Sequence, residues 1–361
     1  PVLRLSGAGV VLAEEFTELS GLRELRDGRV LVTDVREGRL VVTDFKAGTV
    51  RQIGRKGSGP GEYRQVARIW ALGGDSTLVK EPYAPRWMML VGDKVVATIG
   101  ASDPALTAVA MGPLQGSDAV GRVYATTLAK NARGVPSIED PLVLIRVDRR
   151  SARVDTMARL QHEELWKRGA GLATPPMAER AAGGVPNAPK RYSIALMAPD
   201  QVAVFADSWV AIARPDPYRV DWCRPDGRCT EGKPLGYEKP AMTTQEKQAY
   251  LDAAKITHSW PPTTKVDETA NWPSYVPPFA SPSGIDGSAV LAMPDGRAMV
   301  ARLPSAAARM HRYDIVSRAG VIEAQLQLPL QERVVGFGAK TIYVSVIDTD
   351  GVQRLRRHAW P

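Results

Sequence analysis

At 361 residues the chain is long enough for two or three average domains, or for one repeat fold. Its 44% hydrophobic and 24% charged residues belong to a chain that buries a core, which excludes a disordered tail or linker. A formal charge of +8 raises nucleic acid or an acidic membrane as partners. The arginines are scattered over turns and strand ends (Arg23, Arg26, Arg36, Arg39, Arg51, Arg55), and no basic helix gathers them, so no nucleic-acid partner is expected. The one short cluster is Arg354, Arg356, Arg357 and His358. The uncharged run 104–117 carries two Pro and two Gly and is too short to span a bilayer. The first residue is Pro1, so a removed leader or a trimmed chain is expected.

The first periodic stretch is 28–63. Val30, Val32, Leu40, Val42 and Val50 alternate with small or polar residues, the period of strands. Asp27-Gly28, Glu37-Gly38 and Ala47-Gly48 break the runs, and glycine supplies the positive φ that tight hairpins need. Three hairpins in one run predict a four-stranded antiparallel meander. The closing Gly-Ser-Gly-Pro-Gly-Glu-Tyr63 cannot continue a strand and carries the chain to a new sheet.

The rhythm then repeats. A second unit is expected over 67–99, a third over 108–111, 123–127, 142–148 and 153–160, and a fourth over 193–230. A fifth spans 284–329 and a sixth 332–359. Two stretches interrupt them, at about 161–191 and 238–283. The second holds an expected helix over 243–256, with Thr243 as N-cap and Glu246 at the capping-box position. The sixth unit shows only three strands, whereas the strand-like residues near the N-terminus precede the first. The N-terminus is therefore expected to supply the missing strand and close a ring. The fold expected is all-β: one domain over 1–361, a six-bladed β-propeller of four-stranded antiparallel blades, closed by the N-terminal strand and carrying two loop or helix insertions.

Cys223 and Cys229 bracket Arg-Pro-Asp-Gly-Arg228, a turn that sets them across a hairpin within disulfide reach. A disulfide favours an oxidising compartment. Two cysteines without a nearby His do not fill a zinc shell.

These residues carry a resemblance. Asp27-Gly-Arg-Val-Leu-Val-Thr-Asp34, Gly38-Arg-Leu-Val-Val-Thr-Asp44 and Ile53-Gly-Arg-Lys-Gly-Ser-Gly-Pro-Gly-Glu-Tyr63 are similar to the bacterial six-bladed β-propeller proteins related to NHL repeats. The likeness covers the first blade well; Tyr63 stands where the family's crossover has Phe, and later blades keep only the rhythm. It implies an exported propeller, periplasmic or extracellular, and carries no catalytic residue across.

No recognised chemistry survives a reading of the motifs. Gly54-Arg-Lys-Gly-Ser-Gly-Pro-Gly-Glu62 lacks the helix that a phosphate loop requires. His162, His258, His311 and His358 show no metal spacing, and Gly-x-Ser-x-Gly is absent. Glu24, Asp34, Asp44, Asp207 and Asp348 are candidates for a metal at a propeller channel, with Asp34 and Asp44 read first as turn caps. No catalytic residue, metal or cofactor is assigned. The expectation is a non-catalytic exported scaffold that docks on a protein partner, such as the periplasmic side of a respiratory or photosynthetic membrane complex. Its contacts would come from Trp260, Trp272, Tyr275, Phe279, Arg354, Arg356 and Arg357, because aromatics and arginine favour interface cores. The alternatives are a lactonase- or hydrolase-type propeller enzyme with a metal in its channel, or a small-ligand-binding propeller.

Overall fold

Short alternating runs joined by tight turns pair with their sequence neighbours. The computed structural model describes residues 1–5, 7–59, 61–66, 68–81, 86–100, 103–105, 109, 113–128, 142–161, 196, 198–257, 266, 272–280 and 288–360. Blade one is Leu19–Glu24, Val30–Asp34, Arg39–Asp44 and Thr49–Ile53. Blade two is Ile69–Ala71, Ser76–Lys80, Trp87–Val91 and Lys94–Ile99. Blade three is Leu114–Ser117, Val123–Leu128, Leu142–Val147 and Val154–Arg159. Blade four is Gln201–Val204, Val210–Pro215, Tyr218–Cys223 and Cys229–Thr230. Blade five is Val290–Ala292, Ala298–Ala301, Met310–Val316 and Ile322–Pro329. Blade six takes Glu332–Phe337, Thr341–Ile347 and Gln353–Ala359 from the end of the chain, and Val10–Phe16 from its beginning.

The ring closure is thus as the pattern requires: Val10–Phe16 lies antiparallel on Gln353–Ala359. One detail differs. Val2–Leu3 does not join blade six but adds a fifth, parallel strand to the edge of blade five, opposite Gln325 and Leu326. The inner strand of blade three is Leu114–Ser117 rather than 108–111, because Pro113 sets its start and a bulge at Leu114/Gly116 shifts its register.

The core is divided among the clefts between blades. Leu31, Leu40 and Ile53 of blade one meet Val79, Met88 and Leu90 of blade two. Blades two and three share Trp70, Trp87, Val123 and Ile145. Blades three and four share Tyr124, Leu144, Val210 and Ile212. Phe205, Trp222, Val290 and Val300 join four to five; Met299, Ile315, Ile342 and Val344 join five to six. Leu12, Phe16 and Leu355 of blade six pack on Leu19, Val30 and Val41 of blade one. Each sheet is covered on both faces, which explains middle strands such as Val210–Pro215 and Tyr218–Cys223 that are buried almost throughout.

The crossover after blade one is a folded piece in its own right. Tyr63 is fully buried; its hydroxyl donates to Ile53 O at 2.9 Å and accepts from Leu40 N at 3.1 Å. Gly54 is required there, since its φ is +66° and an added Cβ would lie 2.6 Å from Gly61 O. Cys223 and Cys229 are opposite each other across their hairpin and form the disulfide. Helix Thr244–Thr257 begins as expected, with Glu246 N donating to Thr243 Oγ1 at 3.3 Å. Glu246 does not complete a capping box; its carboxylate accepts from Ala306 N at 2.8 Å and ties the helix to blade five. No helix among the described residues is long and apolar enough to cross a membrane.

Candidate functional site: the crossover face

In a four-stranded meander, the first and third turns fall at one end, and the middle turn and the exit to the next sheet at the other. The two ends of the ring therefore differ. One, the turn face, carries the short hairpins around Gly28, Gly74, Ser208 and Gly296. The other, the crossover face, is where the chain leaves after 53, 99, 160 and 230 and returns at 69, 114, 201 and 290. Every long connection thus belongs to one face and surrounds one end of the channel.

Buried charged side chains tie these connections down. Asp34 accepts from Thr17 N at 2.8 Å and Glu18 N at 3.0 Å. Glu81 accepts from Arg64 N at 3.2 Å and pairs with Arg86, which donates to Ser58 O at 2.8 Å and Glu62 O at 2.9 Å. Asp200 accepts from Gln161 N at 2.6 Å and pairs with Arg214. Arg302 donates to Pro278 O at 2.9 Å and Asp314 at 2.7 Å, and lies over the rings of Tyr218 and Tyr237 at 4.6 and 4.7 Å.

The inner strands of blades one, three and six each carry a bulge, at Leu19/Leu22, Leu114/Gly116 and Val334/Gly336. Bulges re-aim side chains at the rims of closed sheets. Glu18 leads into the first of these strands and is half-buried, with Arg36 Nε 3.8 Å from its carboxylate. Burial pushes the Glu18 carboxyl up from its ordinary value; Arg36 and Arg333 draw it down, and Asp34 raises it further. Arg333 enters from blade six, its Nη2 donating to Leu19 O at 2.9 Å and Gln353 Oε1 at 3.1 Å. Burial holds its guanidinium below the ordinary arginine range. Beyond it, His311 Nε2 lies 3.1 Å from Leu330 O, and burial pushes that imidazole down. A half-buried carboxyl raised by desolvation and flanked by two guanidinium groups is equipped for proton transfer beside a developing negative charge.

The residues expected to carry function are placed elsewhere. Asp44 caps its own turn, accepting from Lys46 N and Ala47 N, and Asp348 does the same for Asp350 N and Val352 N. Asp207 pairs with Arg318, and Glu24 accepts from Thr341 Oγ1 and Tyr343 OH, both at 2.5 Å, on the turn face. Among the described residues no group of three His, Cys, Asp or Glu side chains comes together as a metal ion requires.

Among the described residues, the expected docking side chains do not form one patch. Phe279 is fully buried in the core between blades four and five. Tyr275 donates to Asp216 at 2.7 Å under the Lys239 ammonium, and Trp272 meets Tyr250 edge-on at 6.2 Å. Tyr275 and Phe279 fasten the second insertion to the ring, and Trp272 packs on the insertion's own helix. Arg354 pairs with Glu15 and Asp348, Arg356 with Glu332, and Arg357 lies over Phe45. Trp260, His162, His258 and most of the first insertion lie outside the described residues.

No protein-family model and no curated protein matches the chain. Solved structures do, over nearly the whole length. A gluconolactonase from Xanthomonas campestris is 9% identical, covering 98% of this chain and 94% of its own, with a TM-score of 0.47. A luciferin-regenerating enzyme is 11% identical over 98% and 95%, at 0.44, and a streptogramin B lyase 8% identical over 98% and 86%, at 0.42. At these identities and scores the likeness is one of fold. It nevertheless corrects the expectation of a non-catalytic scaffold. That reading rested on the lack of a recognisable catalytic motif, and the three solved structures of this fold just named are enzymes.

Proposed function

We propose that the chain is a propeller enzyme of the hydrolase or lactonase type, acting on a small molecule at the channel mouth on the crossover face. Glu18 carries the reading: it is a half-buried carboxyl with a raised pKa at the head of a bulged inner strand, between Arg36 and Arg333. In the proposed reaction Glu18 takes a proton from water as the water oxygen bonds to an ester or lactone carbonyl. The guanidinium groups stabilise the oxyanion. The carbonyl re-forms as the ester C–O bond breaks, and Glu18 returns the proton to the leaving oxygen. No step is routed through a metal.

The disulfide supports export, since such bonds persist in oxidising compartments. The first-blade motifs support a relation to NHL repeats. The test is turnover of a panel of lactones and aryl esters by the full chain and by Glu18→Gln. The expected result is a loss of about 10²–10⁴-fold in kcat with an unchanged melting transition. Equal turnover by the variant, or none by the parent, overturns the reading.

A further inference from the structure

We infer that the substrate carries an anionic group, anchored by Arg333 beside Glu18; this rests on the proposed acid–base role of Glu18. The other deeply buried arginines spend their donors inside the chain. Arg122, Arg214 and Arg302 close on buried carboxylates, and Arg86 on Glu81. Arg23 has no such partner but reaches Ser76 O, Thr77 Oγ1, Leu72 O and Gly74 O with both of its terminal nitrogens.

Arg333 is different. Both of its hydrogen bonds leave from Nη2, to the uncharged acceptors Leu19 O and Gln353 Oε1. Gln353 Oε1 is itself shared with Leu19 N at 3.1 Å and Ser345 Oγ at 3.0 Å, so that edge of the guanidinium is fixed. Nε is buried without a partner, whereas Nη1 is neither bonded nor buried. No carboxylate among the described residues lies within ion-pair distance of Arg333. A full charge is thus held on an innermost strand with Nη1 left unbonded.

The charged neighbours do not quench it. Glu18 faces it across the junction of blades six and one but is shared with Arg36. His311 and Tyr313, from blade five, supply no negative charge at neutral pH: an imidazole is neutral or cationic, and burial pushes the phenol up to about 12. An anion on Nη1 is screened less than one on the surface, and a charge-assisted bond there fixes the distance to Glu18. The chemistry recognised is a carboxylate, sulfonate or phosphate carried on an ester or lactone.

The test uses the full chain, with Arg333→Met and Arg333→Lys. Succinate and succinamide, alike but for charge, are titrated calorimetrically. Succinate is expected to bind on the order of tenfold more tightly to the parent, to lose that advantage in Arg333→Met, and to recover part of it in Arg333→Lys. Two aryl esters differing only in a terminal carboxylate should follow the same order, with the difference in KM. Equal affinity for succinate and succinamide, or a preference that survives Arg333→Met, overturns the inference. Glu18→Gln separates the two claims: a charge preference that disappears in Arg333→Met while Glu18→Gln turns over normally keeps the anion site and removes the acid–base role. If Arg333→Met does not fold, the lysine variant carries the test, since loss of fork geometry alone must weaken succinate and not succinamide.

Discussion

The two ends of the ring are built from the same strands and held by different means. On the turn face, each blade touches the next through short hairpins. Arg26 N donates to Asp75 at 3.2 Å, Ala119 N to Ala206 O at 2.9 Å, Ser208 Oγ to Asp118 at 2.9 Å, and Arg318 to Asp207 at 2.6 Å. The contacts are neighbourly and repeat from blade to blade. On the crossover face, long connections are held by single buried charges, each serving one loop. Asp34, Glu81, Asp200 and Arg302 have no common spacing in the sequence. Regular contacts make one end a base; individual ones leave the other free to vary in length and chemistry, as functional loops on rigid scaffolds do.

The sharpest way to break this contrast is to remove one crossover tie. Arg302→Met leaves buried Asp314 with only Arg312, at 3.6 Å, as a cation, and should cost up to about 3 kcal/mol in denaturant unfolding. Proteolysis should then increase near Pro278 before any cut appears in the turn-face hairpins. Uniform cleavage would show that the tie is not local.

An alkaline titration compares the faces directly. Tyr124, on the turn face beside Asp118, and Tyr313, beside Val334, are both pushed up to about 12, chiefly by burial. An unfolded tyrosine deprotonates near pH 10, so between pH 10 and 12 the unfolded chain holds fewer protons than the native one. Stability is fully present below pH 10 and should fall by about 1.4 kcal/mol per pH unit for each phenol through that window. Tyr218 and Tyr343, also raised by burial, add to the same slope, so Tyr313→Phe and Tyr124→Phe should each remove only one phenol's share of it; an unchanged slope in both would place the alkaline loss elsewhere.

Reducing the Cys223–Cys229 bridge should cost only about 2 kcal/mol, because the loop it closes is short. A collapse of the whole ring on reduction would contradict the view that blade four stands on its interblade cores.

The smallest effect concerns a turn-face residue. Ser208 holds φ of 70°, where the corresponding hairpins of blades one, two and five have glycine. Its hydroxyl bonds to Asp118 and takes a bond from Arg122, which offsets the strain. Ser208→Ala should cost about 1–2 kcal/mol, and Ser208→Gly close to nothing, in thermal or chemical unfolding. Equal losses for glycine and alanine would mean that the hydroxyl matters more than the backbone.

How much of this was legible in the sequence follows the same division. Period-2 runs and Asp-Gly turns are local, so the blades, the closing strand and the Cys223–Cys229 hairpin could be read directly. The Pro113 strand start and the Val2–Leu3 pairing could not, because bulges and edge additions depend on partners far along the chain. The site was missed for a related reason. Glu18 and Arg333 are ordinary residues 315 positions apart, brought together only by ring closure. The aromatics of the second insertion gave the opposite error: a composition suited to an interface is also what a long loop uses to hold itself down, as Phe279 does.

Closure of the ring also sets an order in time. Val10–Phe16 leaves the ribosome well over 300 residues before its partner Gln353–Ala359. Until then the inner face of blade one that receives Leu12 and Phe16 stays open, and the early strand has to remain unpaired without finding a wrong edge. Such a distant pairing makes the final step slow and cooperative. A permuted chain opened between blades, with the two ends joined through a linker, should fold faster than the natural one.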